Sequence, residues 1–470
     1  MATRVERDPL GELHVPAAAY YGVQTQRAVD NFPISGFRAP APLVTATVLI
    51  KQACARANAR VERLDPAIAT AIVQAADEVL AGALRDQFIV DVYQAGAGTS
   101  HNMNTNEVLA NRAGEILGEP KGTYRRVHPN DHVNMGQSTN DVFPTATRLA
   151  ILLVLSDLLA AGRALAAGLE AKAEAFSRVL KIGRTHLQDA VPIALGQEFG
   201  GYAANVRQAL GELEHASVAL HELNLGATAV GTGLNAGDAV TAASVTNLAA
   251  ATGLPLTPAR NRFRVTQSMG DVLAYSGALR RLAVEVDKIA SDLRLLSSGP
   301  RAGFAEILLP AVQPGSSIMP GKVNPSVPEM VNQVCQQVWG CDATILAACA
   351  GGQLELNVMM PVIAWNALHA STILGNAMKV LVTRCVDGIE ADESRCRELL
   401  DRSTAVATAL SPYLGYAETA DIAKTAVKSG RSIADIVRER KLLSEEKLAT
   451  VLSPEAMTTP GIPGADQGKP

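Results

Sequence analysis

Aromatic side chains are scarce in this chain of 470 residues, at 4% of positions, and alternating runs of β-branched residues are equally thin. A large sheet is therefore not expected, because strands draw on aromatic and β-branched residues at a period of two. A basic excess is also missing: 42 Lys and Arg stand against 46 Asp and Glu, for a formal net charge of -4. Nucleic acid is excluded as a partner on that ground, since it needs a basic patch or stripe. No stretch reaches the roughly 18 uninterrupted apolar residues that suggest a membrane span. The nearest, Leu149 to Leu169, is broken by Asp157 and Arg163. It reads as a long buried helix and not a membrane segment, because a charge near the bilayer centre is costly. The opening residues MATRVERDPLGELHVP are charged and lack the apolar run of a secretory leader. Six cysteines (Cys54, Cys335, Cys341, Cys349, Cys385 and Cys396) include no CxxC pair and lie in helix-like sequence. They read as reduced core thiols, and a cytoplasmic location is expected.

What the chain has in abundance is Ala, Leu, Arg, Glu and Gln in long stretches, which favours helix. Apolar residues recur at helical spacing from Asp141 to about Val179, Gly196 to about Leu223, about Thr266 to Leu296, Ser326 to about Ala348, and about Val362 to Cys385. Such helices far exceed the globular mean of about 11–12 residues, so each needs a partner along most of its length. The expected fold is mainly α, around a central bundle of long antiparallel helices. The apolar positions are broad and not confined to one stripe, which points to burial on several sides and to a homo-oligomer. Punctuation suggests boundaries at 1–138 (mixed, mostly helical), 139–390 (long-helix bundle) and 391–470 (small, helical). In the last part Ser444 before Glu445 and Glu446, and Ser453-Pro454-Glu455, are expected helix starts. The tail TPGIPGADQGKP is rich in breakers and expected to fray.

The sharpest motif runs from Gly315 to Pro325, GSSIMPGKVNP. It offers free backbone N–H groups, two hydroxyls and an ammonium to an anion, with an S-x-x-E capping box expected at Ser326 and Glu329. An ordinary polar turn has the same composition. Thr99, Ser138, Thr139, Asn140, Thr185 and His186 supply further neutral donors at the ends of predicted helices, where capping is the commoner role of such residues taken singly. Gly231 to Gly237 is GxGxxxG without a βαβ setting, so a dinucleotide site is not expected. His128 and His132 have metal-ligand spacing, but Pro129, Asn130 and Asp131 favour a turn, and no metal site is expected.

GSSIMPGKVNP resembles the defining loop of the aspartase/fumarase superfamily. GTSHNMNTNEVLANR from Gly98, HPND from His128, GQSTND from Gly136 and GRTHLQD from Gly183 resemble the family's other segments in the same order, so the likeness covers essentially the whole chain. It implies a three-domain fold with a tetrameric helical core, composite sites drawing on three subunits, and a small dicarboxylate substrate. The implied chemistry uses no cofactor; the sequence leaves Mg2+ activation open. In related fumarases the HPND segment lines a secondary anion site. DVYQAGAGTS, NMNTNEV, QSTND and GQLELNV are closer to the aspartase branch than to the fumarase branch, while Met360 stands where that branch commonly has Glu. No Ala-Ser-Gly occurs, which excludes the self-made electrophile of aromatic ammonia-lyases.

The implied reaction is reversible anti-elimination of ammonia from L-aspartate to give fumarate through an aci-carboxylate; hydration of fumarate to L-malate is the alternative. A third possibility is an idle crystallin-like structural protein. Thr99, Ser138, Thr139 and Ser317 are the candidate donors to the aci-carboxylate, and Thr185, Lys322 and Asn324 the candidates for the other carboxylate. His186 is the intuitive base, because an imidazole titrates near neutrality. The resemblance instead gives Ser316 that role, with His186 at the amino-bearing end oriented by Glu329. A serine can serve only if surrounding N–H groups and Lys322 lower its pKa greatly.

Overall fold

A computed structural model describes residues 2–465, so the end of the breaker-rich tail, 466–470, lies outside the described residues. The protein is mainly α, with long helices in contact. The five long periodic stretches are helices at Thr139–Ala175, Leu195–Ser217, Gly270–Leu296, Ser326–Ala350 and Met360–Arg384. The chain divides into two compact units: 2–160, 209–283 and 334–376 form the first, and 161–208, 284–333 and 377–465 the second.

In the first unit the helices Ala41–Arg60, Pro66–Leu80 and Thr99–Ile116 pack around Val48, Ile72, Val79, Val108 and Leu109. The first part of the Thr139–Ala175 helix is tied to its long neighbours by polar bonds as well as packing. Arg148, fully buried, forks onto Asp271 (Nε to Oδ2 2.6 Å, Nη2 to Oδ1 3.1 Å) at the start of the 270–296 helix. Tyr275 Oη and Ser371 Oγ share a 2.8 Å bond, and Ser276 Oγ donates to Asp342 Oδ1 at 2.6 Å. Leu158 packs against Gly375. Among the described residues the 139–175 helix is the one long and apolar enough to cross a membrane. Leu149, Ile151, Leu158, Leu165 and Leu169 on it are nonetheless buried, as expected of a core helix.

In the second unit Tyr202 Oη donates to Asp292 Oδ2 at 2.8 Å, and Asn332 Nδ2 donates to Asp287 Oδ1 at 2.7 Å and Ser291 Oγ at 3.1 Å. Leu410, Ile422, Ile436, Val437 and Val451 give the C-terminal helices a small core of their own. Ser444 and Ser453 are N-caps, accepting from the N–H groups of Lys447 and Ala456, as their sequence context predicts. Among the described residues no disulfide is formed; five of the six cysteines are buried and Cys349 is partly so.

Two features differ from the sequence reading. Among the described residues four two-stranded sheets punctuate the helices, and two of them are hairpins with strands of six or seven residues: β1 (Thr3–Asp8) with β2 (Gly11–Pro16), and β3 (Leu180–Thr185) with β4 (Gln188–Ala194). Thr185 and His186 therefore sit at a hairpin tip and not at a helix end. The turn residues His186 and Leu187 carry none of the Asn-Gly or Asp-Gly signal that marks such turns in sequence. The second difference is at Ser326, whose N–H bonds the Asn324 carbonyl at 2.8 Å and whose hydroxyl lies 3.3 Å from the same oxygen. That N–H is thereby satisfied within the loop, and the reciprocal Ser326–Glu329 box is not the arrangement found.

Candidate active site

In the first unit the donors are set by two helix starts. The helix carrying Thr99 begins after a tight turn in which Ala97 and Gly98 are both left-handed, φ 58° and 83°. The Ala97 N–H bonds the Val358 carbonyl at 3.0 Å. A side chain at Gly98 would place its Cβ 2.1 Å from the Phe143 ring, so only glycine lets the turn lie against the neighbouring helix. Thr99 is exposed at the resulting tip.

Ser138, Thr139 and Asn140 open the 139–175 helix. Asp141 organises them: its Oδ1 accepts from the Ser138 N–H at 2.9 Å, and its Oδ2 from the N–H groups of Gly226 (2.9 Å) and Thr228 (3.0 Å). Burial pushes the Asp141 pKa up to about 6 against the opposing pull of those N–H donors. Ser138 Oγ accepts from the Asn140 N–H at 3.2 Å. Pro144, inside the helix, has no N–H for the Asn140 carbonyl four residues earlier. Asn224 Nδ2 fills that place at 3.2 Å. One N–H of the Asn140 amide goes to the Ala229 carbonyl at 2.8 Å. Asn140 has its oxygen and its second N–H left to offer.

Behind Thr139 lies a buried polar cluster. Asn102 Nδ2 donates to Thr139 Oγ1 at 3.1 Å and to Asn134 Oδ1 at 3.3 Å. Lys51, with no exposed surface, donates to Asn134 Oδ1 at 2.8 Å and Gln137 Oε1 at 2.9 Å. Burial pulls the Lys51 pKa down to about 7. His101 is held down to about 4 by burial and by Lys51, and its Nε2 lies 2.9 Å from Thr47 Oγ1. The sequence reading did not single out Lys51, Asn102, Asn134, Asp141 or Asn224. Asp141 had a signal, an acid three residues after a capping serine. Lys51 had none, lying mid-helix among small apolar residues.

The His128 ring accepts the N–H groups of Asn130 and Asp131 at its Nδ1, both at 3.2 Å, and His132 Nδ1 accepts the His128 N–H at 2.9 Å. These ring nitrogens act as caps of a tight turn, as Pro129 suggested. Among the described residues no group of three or more His, Cys, Asp or Glu side chains is assembled as a metal site.

In the second unit Thr185 and His186 stand exposed at the β3–β4 tip. The Gly315–Pro325 loop is closed at its base by the Gly315 N–H on the Lys322 carbonyl and Asn324 Nδ2 on the Gly315 carbonyl, each 2.8 Å. A Cβ at Gly315 would lie 2.6 Å from backbone atoms of Lys322 and Asn324, which explains that glycine. Ser316 Oγ accepts the N–H groups of Ile318 (3.2 Å) and Met319 (3.0 Å). One N–H of the Asn324 amide is thus used within the loop and the other is left, while Ser317 and Lys322 are exposed and Glu329 projects from the first turn of the next helix. Each unit, taken by itself, exposes polar side chains of the expected set: Thr99 in the first, and Thr185, His186, Ser317 and Lys322 in the second.

The family described as lyase matches residues 11–340, and that described as fumarase C C-terminus matches residues 406–459. An aspartate ammonia-lyase of Bacillus subtilis is 49% identical over 98% of this chain and 98% of its own length. A class II fumarate hydratase of Neisseria meningitidis is 47% identical, covering 98% and 100%. The crystal structure of fumarate lyase:delta crystallin from Brucella melitensis bound to cobalt superposes with a TM-score of 0.94 at 50% identity, over 98% of this chain and all of that one. With both family matches and these relatives spanning nearly its whole length, the chain belongs to the fumarate lyase superfamily, the aspartase/fumarase group its motifs resemble.

Proposed function

We propose that the protein is an aspartate ammonia-lyase, a carbon–nitrogen lyase that interconverts L-aspartate with fumarate and ammonia. The observation that carries this reading is the 49% identity to an aspartate ammonia-lyase across 98% of both chains. In the proposed reaction Ser316 takes the proton from the carbon beside one carboxylate. The electron pair moves into that carboxylate to give the aci form, then returns to make the double bond as the C–N bond breaks and ammonia leaves. Thr99, Ser138, Thr139 and Ser317 donate to the aci-carboxylate, where one preorganised donor can be worth about 2.7–4 kcal/mol. Thr185, Lys322 and Asn324 hold the other carboxylate, and His186, oriented by Glu329, stands at the amino-bearing end.

The two N–H groups on Ser316 Oγ favour its deprotonated form and so support Ser316 over His186 as base. The Asn140 oxygen supports ammonia as the leaving group, since an ammonium has only donors and needs acceptors facing it. The same reading includes a homotetramer with sites built from three subunits, a cytoplasmic location and the partition 1–138, 139–390 and 391–470. Ile318, Met319 and Val323, exposed on the site loop, and Val284, Leu295, Leu346 and Val380, exposed on the long helices, support assembly with further chains.

The 47% identity to a class II fumarate hydratase favours a second reading, hydration of fumarate to L-malate. Fumarate and ammonium incubated with the enzyme and followed by NMR separate the two. Aspartate methylene signals are expected from the wild type and no turnover from Ser316→Ala; a malate-only spectrum overturns the aspartase reading.

A further inference from the structure

We infer that Glu306 is a positioning residue for the proposed reaction, a clamp that sets the direction of Thr185 and His186; the inference rests on the lyase reading of those two residues. The Glu306 side chain has no exposed surface, and its Oε2 lies 3.0 Å from Lys181 Nζ and 2.9 Å from Arg184 Nη1. Arg184 Nη1 also reaches Oε1 at 3.0 Å. Both cations stand on β3, whose last residue is Thr185. Lys181 is further tied to Glu198 on the 195–217 helix at 3.0 Å, and the Arg184 guanidinium lies over the Phe304 ring at 4.2 Å.

The Glu306 backbone, from which the carboxylate extends, is itself anchored. The Glu306 N–H bonds the Leu296 carbonyl at 2.9 Å, and its carbonyl accepts the Asp392 N–H at 3.0 Å and lies 3.5 Å from Cys396 Sγ. The hairpin is therefore referenced to a fixed group and not the reverse.

Two features of the hairpin call for such a reference. His186 and Leu187 are both left-handed, φ 53° and 60°. For non-glycine residues this conformation is strained and persists only when the surroundings impose it. The strand register also shifts between Ile182 and Arg184, around Gly183, whose Cβ would lie 2.8 Å from the Val191 carbonyl. Glu306 grips the strand on both sides of that irregularity, at Lys181 before it and Arg184 after it. The extra residue is on β4, where Ala190 and Val191 face Gly183, so the pairing of β3 changes just before Thr185 and His186, and such an irregularity alters local twist. Stability alone does not explain the arrangement, because apolar residues of similar volume usually serve a buried core as well as a charge network does.

Glu306→Gln keeps the shape and removes the charge. Its kcat/KM for aspartate is expected to fall roughly 10- to 100-fold, the scale on which a misplacement of about 1 Å acts. Added to a Thr185→Val, His186→Ala background the same substitution should cost less than about threefold, because the groups it positions are already gone. A merely structural Glu306 would cost the same factor in both backgrounds, and that result overturns the clamp. Arg184→Lys, which keeps a cation but loses the guanidinium over the Phe304 ring, serves if Glu306→Gln does not assemble. Hydrogen exchange is read in parallel: faster exchange in residues 180–194 of the variant, with the 195–217 helix unchanged, supports the clamp. An inactive wild type with that exchange pattern sinks the lyase reading and leaves the clamp standing; unchanged exchange and unchanged kcat/KM in an active enzyme sink the clamp alone.

Discussion

Lys51 illustrates how a single buried charge can matter to a site without facing it. Its ammonium holds Asn134 and Gln137, Asn134 holds Asn102, and Asn102 holds Thr139. Asp141, Cys54 and His101 share its electrostatic surroundings. Burial depresses the folded-state pKa to about 7 from 10.5. Between those values the unfolded chain binds a proton that the folded chain does not, so unfolding takes up a proton and stability rises with pH across this window. Below about pH 7 both states are protonated and the cost of burial is present in full. The thermal midpoint of the wild type minus that of Lys51→Met should therefore climb from about pH 7 towards pH 10. A flat difference would show that the buried amine keeps its proton. Nothing in the sequence around Lys51 foretells this, since its effect depends on water being excluded from all sides. Ser316, Lys322 and Asn324, by contrast, were legible because they share one contiguous string with its glycines.

At the level of elements, the long helices were readable to within about six residues at their ends, because apolar periodicity and the absence of breakers act locally. The β3–β4 hairpin was not, since its turn is held in shape by Glu306 and not by turn-forming residues. The turn before Thr99 lies between these cases: its glycines are visible, but the reason for Gly98 is Phe143 on another helix. Gly98 and Gly118 make a matched pair, with φ 83° and 81° and nothing within 4 Å of a Cβ at Gly118. Alanine at either position bears the left-handed strain, but only Gly98→Ala also meets the ring. Its loss of stability should exceed that of Gly118→Ala by about 1–3 kcal/mol, the usual range for overpacking, read from urea midpoints. Equal losses would show that Phe143 moves aside freely.

For the molecule as a whole, the proposed assembly makes a quantitative demand. If Thr185 and Ser316 reach one site from different subunits, a mixed population of Thr185→Val and Ser316→Ala chains contains some sites with both residues intact. Random mixing at equal amounts gives about a quarter of all sites, so refolded mixtures should recover up to about that share of wild-type turnover, while Ser316→Ala alone stays inactive and Thr185→Val alone keeps only a small, measurable residual rate. Mixed tetramers without recovered turnover would place both residues in one chain's site. The sequence by itself determined the helical class, the approximate places of the long helices and the family, because periodicity, breakers and contiguous motifs are properties of near neighbours along the chain. Only the tertiary structure decided that Thr185 and His186 stand on a strained hairpin, that Pro144 turns the Asn140 carbonyl over to Asn224, and that Lys51, Asp141 and Glu306 are buried where they steer the site. The energies of those groups come from desolvation and from partners tens to more than a hundred residues away, and no local pattern encodes either.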